Sequence, residues 1–273
     1  LMAILGDQQA SMLGQGITGV GKAKATFGTG AMVDLVTGNK GPASTNRLPN
    51  GTFPIVVRSQ GEKRIFGLES IGLHAGSAVQ FVCNNLGLAQ SPLLLEELAT
   101  GSRRGSREIF VPALTGLATP HWDFGALGAF ANITQFTTRS DLANGVLAGI
   151  AHIGTDLIQA IEADSDSELE YLSVDGGMTQ NHYFLQMLAN FSQKRLKIAS
   201  AREATTVGAG LAAHLALGTI SDVDTLEDLL KPHMTVEPDL SFGSNSLAET
   251  RKVWQDAVEI ARNSVPELSA ISF

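Results

Sequence analysis

The sequence predicts an α/β fold in which a mixed sheet carries helices on both faces. Three observations predict it. Polar Lys22, Lys24 and Thr26 alternate with apolar Ala23, Ala25 and Phe27, the period-2 pattern of a half-buried strand, and Gly28-Thr29-Gly30 turns that strand into a second apolar run over residues 31–36. Leu142, Val146, Ile150, Ile153, Leu157 and Ile161 recur at three- and four-residue intervals, the stripe of an amphipathic helix. Short apolar runs at 171–174 and 196–198 then alternate with further helical patterns.

The composition bounds the function. A chain of 273 residues with 44% hydrophobic and 17% charged residues is globular and long enough for a sizeable core. A net charge of −8 argues against a nucleic-acid surface, which needs a basic face. The arginine cluster Arg103, Arg104 and Arg107 lies among glycines and serines and reads as a solvated loop. A single cysteine, Cys83, forbids an internal disulfide and fits a reducing cytoplasm. No apolar run approaches the roughly 20 residues of a membrane span. Leu1-Met2-Ala3-Ile4-Leu5 is a strand-type run with no polar tail, so the chain is expected to be part of something longer.

Asp7 follows that run and opens a helical pattern with Ala10 and Leu13, where it serves as a cap, as a chemical group, or as both. Residues 14–21 hold a G-x-G-x-x-G string and a G-x-x-x-x-G-K string. The first leads into a strand instead of a helix, and the second lacks the hydroxyl that ligates Mg²⁺. The stretch reads as a flexible connector and hinge. The glycines around Thr29 let successive N–H groups converge on an anion, although an ordinary tight turn is the commoner use of such a string.

Residues 53–57 and 64–68 form two more strands, joined at Gln60-Gly61-Glu62. Ala75, Val79, Val82 and Leu86 stripe a helix that carries Gly76 and Gln80 on an adjoining face and ends at Gly87. A short helix at 91–99 precedes a strand at 109–114 and a loop, 115–123, rich in Pro, Trp and His. Ser140 caps the longest helix, and His152 beside its stripe is a packed or surface residue. The strand at 171–174 ends in Asp175-Gly176-Gly177, and a helix starts near Asn181. Such a junction offers N–H groups and a positive helix end to an anion. The helix after Glu203 is crowded with Gly208, Ala209, Gly210, Ala212, Ala213 and Ala216, which lowers propensity but lets a neighbour's backbone approach closely. A Ser246-x-x-Glu249 capping box opens the helical tail.

Three antiparallel strands followed by alternating helices and strands is the order of a ribonuclease H-like (actin-like ATPase) domain. Within that order the Gly28 turn, Gly76 with Gln80, and Gly177 with Asn181 fall at strand ends or helix starts that can converge on one cleft. Gly6-Asp7-Gln8-Gln9, Phe27-Gly28-Thr29-Gly30, Ala75-Gly76-Ser77-Ala78-Val79-Gln80, residues 111–117 with Trp122-Asp123, and Val174-Asp175-Gly176-Gly177 resemble, in that order over about residues 1–218, the C-terminal half of the FGGY carbohydrate kinases, nearest to their glycerol kinase branch.

The resemblance implies transfer of the γ-phosphate of Mg²⁺·ATP to a polyol hydroxyl, with glycerol to glycerol 3-phosphate first among the candidates. It implies Asp7 as the base for the attacking hydroxyl and Gln8 as a holder of the polyol. Thr29 and Gly30 would meet the terminal phosphates, while Gly76, Gln80, Gly177 and Asn181 would line the nucleotide pocket. ATP and Mg²⁺ are the cofactors implied, and no metal ligand is assigned within this chain. Residues 1–16 would close an absent N-terminal substrate domain and 17–273 would form the ATP-binding domain. The partners are then a small polyol and that missing domain, with no nucleic acid and no membrane span, a homo-oligomer left open, and a cytoplasmic location. The stretch alone is expected to be inactive.

Five positions depart from the family pattern. Met32 stands for an aromatic, Leu127 for an arginine, and Asn132, Gly145 and Ala148 for a glycine, a small residue and an acid. The acceptor is therefore open to erythritol, xylulose or another sugar. A non-catalytic actin-like nucleotide-binding module is a second reading, and Asp7-Gln8 weighs against it because a pure binder needs no base. An NAD-dependent enzyme using Gly14 to Gly19 is a third and weaker one.

Overall fold

The structure is a computed structural model that describes residues 3–201 and 203–271. In chain order the elements are α1 (Asp7–Gly14), β1 (Ala23–Phe27), β2 (Ala31–Gly38), β3 (Phe53–Gln60), β4 (Lys63–Gly72), α2 (Gly76–Asn84), α3 (Pro92–Thr100), β5 (Ile109–Val111), β6 (Ala129–Ala131), α4 (Arg139–Ser165), β7 (Tyr171–Asp175), α5 (His182–Ser192), β8 (Arg195–Ile198), α6 (Ala204–Ala216), α7 (Leu226–Leu229), β9 (Met234–Val236), α8 (Ser244–Ala261) and α9 (Pro266–Ser269). The main sheet runs β3-β4-β2-β1-β7-β8-β9, and β5 pairs with β6 separately. Each neighbouring pair along β3-β4-β2-β1 is antiparallel, whereas β1, β7 and β8 are parallel. The direction of pairing therefore changes at β1. That places the C-terminal ends of β1, β4 and β7 at one end of the sheet, where open α/β sheets bind their ligands.

Strand β1 also sorts the two faces. Ala23, Ala25 and Phe27 enter the large core with Val33 and Leu35 of β2, Leu172 and Val174 of β7, and the stripe of α4. Phe27 meets Phe184 of α5 edge-on, ring centres 5.1 Å apart. Lys24 and Thr26 point the other way, toward α1. The alternation predicted two faces, but the polar face is not a wet one: Lys24 is fully buried.

Helix α4 is apolar enough by length and mean hydropathy to cross a membrane, yet 78% of its most apolar window is buried inside the molecule. It begins one residue after Thr138, not at Ser140. Thr138 accepts from the Asp141 N–H while Asp141 accepts back from the Thr138 N–H, a reciprocal capping box. Asp141 is buried and also takes the Ser102 hydroxyl and the backbone N–H and Nε of Arg103. Burial opposes its ionisation, but these donors outweigh it and hold the carboxyl well below the usual carboxylate range. Arg103 also bonds Glu108, so it anchors the loop expected to be merely solvated.

Other expectations are corrected. Ala3, Ile4 and Leu5 form no strand and Ile4 is 80% exposed, while Leu1 and Met2 lie outside the described residues. Residues 14–18 are buried, with Ile17 packed against Met12, Val36 and Val57, so they are not a loose connector. Leu86 lies past the end of α2 and is exposed. Ser246 sits inside α8, whose N-cap is Gly243, and makes no capping box.

Candidate functional site

Three loops interlock at the end of the sheet where β1, β4 and β7 terminate. The carbonyl of Gly28 accepts from the Gly76 N–H at 2.8 Å, and that of Thr29 accepts from the N–H groups of Ala75 and Ser77 and from the Ser77 hydroxyl. The start of α2 is thereby clamped onto the β1–β2 turn. A Cβ at Gly76 would stand 2.6 Å from the Gly28 oxygen, so only glycine lets the loops meet. On the other side, Gly176 has φ +97° and lies against the backbone of Phe27, where any side chain would collide with its carbonyl. Among the described residues, the N–H groups of Thr29 and Gly30 have no protein acceptor. Gly177, next in the chain, faces open space, with nothing within 4 Å of a Cβ built on it.

Thr29, Gly30, Gly76 and Gly177 are thus brought to one place. Gln80 lies one turn along α2 and is exposed. Asn181 is the N-cap of α5: its Oδ1 accepts from the Phe184 N–H at 2.7 Å, which commits the oxygen to the helix. The Gly76 N–H is committed as well, so this residue contributes clearance and not a free donor.

Asp7 and Gln8 stand apart from these loops, on helix α1 across the other face of the sheet. Helix α1 lies across the strands: Gln9 bonds β3 at the Val56 carbonyl, Gln8 bonds β1 at Lys24, and Ser11 bonds β7 at Asp175. It is pressed onto the sheet by α6, whose small residues let the helices touch backbone to backbone. A methyl on Gly208 would collide with the Ala10 carbonyl, and one on Gly14 with that of Ala204. The close approach expected of the glycine–alanine helix is therefore made, with α1 as its partner. Asp7 is the first residue of α1; it is exposed, and its carboxylate accepts only the Gln8 N–H among the described residues. Grooves of about 480 Å³ and 590 Å³ flank it, the smaller lined by Asp7, Ala10, Thr205 and Ala209, the larger by Gly6, Gln9 and Val56.

Sequence reasoning missed the polar layer beneath α1. Asp175 is buried and accepts the Thr26 hydroxyl at 2.5 Å and the Ser11 hydroxyl at 2.9 Å. It therefore ties the strand ends that carry both glycine loops to the helix that carries Asp7. Lys24 lies 2.6 Å from the Asp34 carboxylate, both fully buried. The signal for Lys24 and Thr26 was their alternation; Asp34 stood inside an apolar run and gave none.

Glu69 joins this layer. Burial pushes its carboxyl up to about 7, helped by the adjacent Asp34 and more weakly by Asp7, with Lys24 opposing. A raised acid pKa means that the folded state holds the proton more tightly. The stability so gained is complete below about 4.5 and is lost as pH rises through about 7. Unfolding midpoints should fall over that window, and Glu69→Gln should flatten the fall by on the order of 1 kcal/mol, since the group is partly exposed. Thermal melts across pH check this, and an equally steep profile in Glu69→Gln would refute it.

The five departures fall mostly outside the loops. Gly145 packs on the Glu108 carbonyl, Ala148 is buried on α4, Asn132 bonds the Arg107 carbonyl and Leu127 is half-exposed; Met32 pairs with Thr26 in the sheet. No cluster of three or more His, Cys, Asp or Glu side chains among the described residues forms a metal site.

Residues 23–217 match the C-terminal domain of the FGGY family of carbohydrate kinases. The chain is 34% identical over 257 residues to the glycerol kinase of Haemophilus influenzae, covering 94% of this chain and 50% of that protein. With the glycerol kinase of Rhodopirellula baltica it shares 33% identity, covering 96% and 48%. It is similar in structure to the Plasmodium falciparum glycerol kinase crystallised with ADP, with a TM-score of 0.83, 27% identity, and coverage of 98% of this chain and 51% of that one. A xylulose kinase from Lactobacillus acidophilus superposes with a TM-score of 0.78 at 20% identity, a likeness of fold alone. The expected actin-like, ribonuclease H-like architecture is the one observed. The chain spans about half the length of the relatives it matches. With its motifs in order, its loops gathered at one sheet end and this match over residues 23–217, the chain belongs to the FGGY family of carbohydrate kinases.

Proposed function

We propose that this chain is the ATP-binding part of a cytoplasmic kinase that phosphorylates a polyol, with glycerol as the first candidate and the substrate domain supplied by the rest of the protein. The observation that carries the reading is the interlocked set of loops at residues 28–30, 75–77 and 176–178, with the Thr29 and Gly30 N–H groups unengaged among the described residues. Those donors suit the terminal phosphates, because backbone N–H groups at fixed positions stabilise phosphate charge without reorganising. Gly177, Gly76, Gln80 and Asn181 would border the rest of the nucleotide. Asp7 would take the proton of the acceptor hydroxyl as its oxygen bonds to the γ-phosphorus and the bond to the ADP oxygen breaks; Gln8 would hold the acceptor. Mg²⁺ would come bound to the phosphates and would supply charge neutralisation there, with no residue of this chain assigned to hold it. Residues 1–16 would continue into the substrate domain.

Gly177→Leu tests the site in the full-length protein. The added side chain meets open space, so the unfolding midpoint should hold while affinity for Mg²⁺·ATP by calorimetry drops about tenfold or more, and Thr29→Ala should weaken it to a lesser degree. Unchanged affinity in both variants would sink the reading. A panel of glycerol, erythritol and xylulose assigns the acceptor, and no turnover on any polyol or sugar would favour the non-catalytic module.

A further inference from the structure

We infer that Lys24 is a positioning residue that fixes the amide of Gln8 with its NH₂ group outward, so that the site meets its alcohol with one donor and one acceptor side by side. This rests on the reading of Gln8 as a substrate-binding residue.

Lys24 is fully buried on the central strand β1. Its Nζ contacts three oxygens: Oε1 of Gln8, Oγ1 of Thr26 at 2.9 Å and Oδ2 of Asp34 at 2.6 Å. An ammonium has three N–H donors and nothing that accepts; Gln8 and Thr26 take hydrogen bonds from it, while Asp34 faces it as an ion pair. A glutamine amide can present either end to most neighbours, but only its oxygen can face a donor-only group. Gln8 is therefore locked with Oε1 inward and Nε2 outward. Thr26 passes its own proton to Asp175, which also accepts from Ser11, three residues beyond Gln8 on the same helix. The chain of contacts starts and ends on α1, and it cannot relax at one end without loosening the other.

The chemical consequence concerns polarity. Asp7 can only accept while ionised, and the exposed end of Gln8 can only donate. An acceptor hydroxyl group satisfies both neighbours, giving its proton to the carboxylate and its lone pair to the amide. A protonated amine in the same place has no lone pair for Nε2. The pair thus selects an alcohol over its amino counterpart. Asp34 balances the Lys24 charge, which makes the arrangement tolerable in a buried layer.

The test is a double-mutant cycle in the full-length protein, with acceptor and ATP varied in turn. Gln8→Ala and Lys24→Met should each raise the acceptor KM by about tenfold, the loss of roughly one oriented hydrogen bond, with the ATP KM unchanged. The double variant should be no worse than Gln8→Ala, because Lys24 acts only through Gln8. A double variant that multiplies the two losses, or a Lys24→Met protein that melts earlier but keeps the parental acceptor KM, overturns the proposal. Gln8→Glu serves if Lys24→Met does not fold. It keeps an oxygen on Lys24 but replaces the outward NH₂, so its acceptor KM should rise as in Gln8→Ala; a parental value overturns the proposal. A parental acceptor KM in Gln8→Ala removes the underlying reading of Gln8 itself, and a parent protein that fails to use ATP removes the kinase reading.

Discussion

Asp7→Asn is expected to lower turnover of the full-length protein on its polyol by about 10²- to 10⁴-fold, the usual worth of a positioned base, with Mg²⁺·ATP affinity kept. Asparagine has the same shape and still offers an oxygen to the Gln8 N–H, so the first turn of α1 should persist. Only the ability to take a proton is lost. Asp7 is exposed and its carboxylate accepts no other hydrogen bond among the described residues, so the subtraction breaks no packing; the loss of its charge also slightly eases the raised Glu69 carboxyl. Rapid-quench and steady-state assays would read the chemical step, and calorimetry the nucleotide. Turnover within a fewfold of the parent would remove Asp7 from the mechanism.

Gly208→Val should have the largest effect on stability. The helices α1 and α6 cross with the backbone of Gly208 on that of Ala10 and Gly14, and a side chain there strikes the Ala10 carbonyl. Backbone cannot yield as a flexible side chain does, so α1 must lift from the sheet. We expect a loss of about 2–4 kcal/mol, a drop of roughly 5–15 °C in the unfolding midpoint, and a loss of activity although none of the three glycine loops is touched. Gly210→Ala is the control. It lies two residues along the same helix with nothing within 4 Å, and alanine should be neutral or add up to about 1 kcal/mol of helix propensity. Equal melting of the two variants would show that the crossing does not matter.

The β1–β2 hairpin, the stripe of α4 and the small-residue face of α6 were legible because each is written in neighbouring residues. What covers a face is not. Alternation placed Lys24 opposite Ala25, yet its burial depends on Gln8, 16 residues earlier, and on Asp34 hidden in an apolar run. Thr26 and Asp175, 149 residues apart, meet only because β1 and β7 pair. Local motifs misled where a competing end signal acted first. The Ser246 box lost to a helix start at Ser244, and the stripe through Leu86 stopped short because the chain turns out of the helix at Gly87 with φ +64°. The glycine loops were recognisable as places where backbone N–H groups could converge, but their mutual clamping was not, since Gly28, Gly76 and Gly176 lie far apart in sequence.

Because α1 is fastened to β3, β1 and β7 and wedged under α6, the carboxylate at its tip is held to the same sheet that carries the glycine loops. If Asp7 and those loops are the base and the nucleotide site proposed above, the geometry between them is set before the two halves of the longer protein swing together around an alcohol. Closure would then deliver the acceptor to a finished reaction centre, and a substitution that slows the swing would alter how often the enzyme fires without altering the barrier it faces when it does.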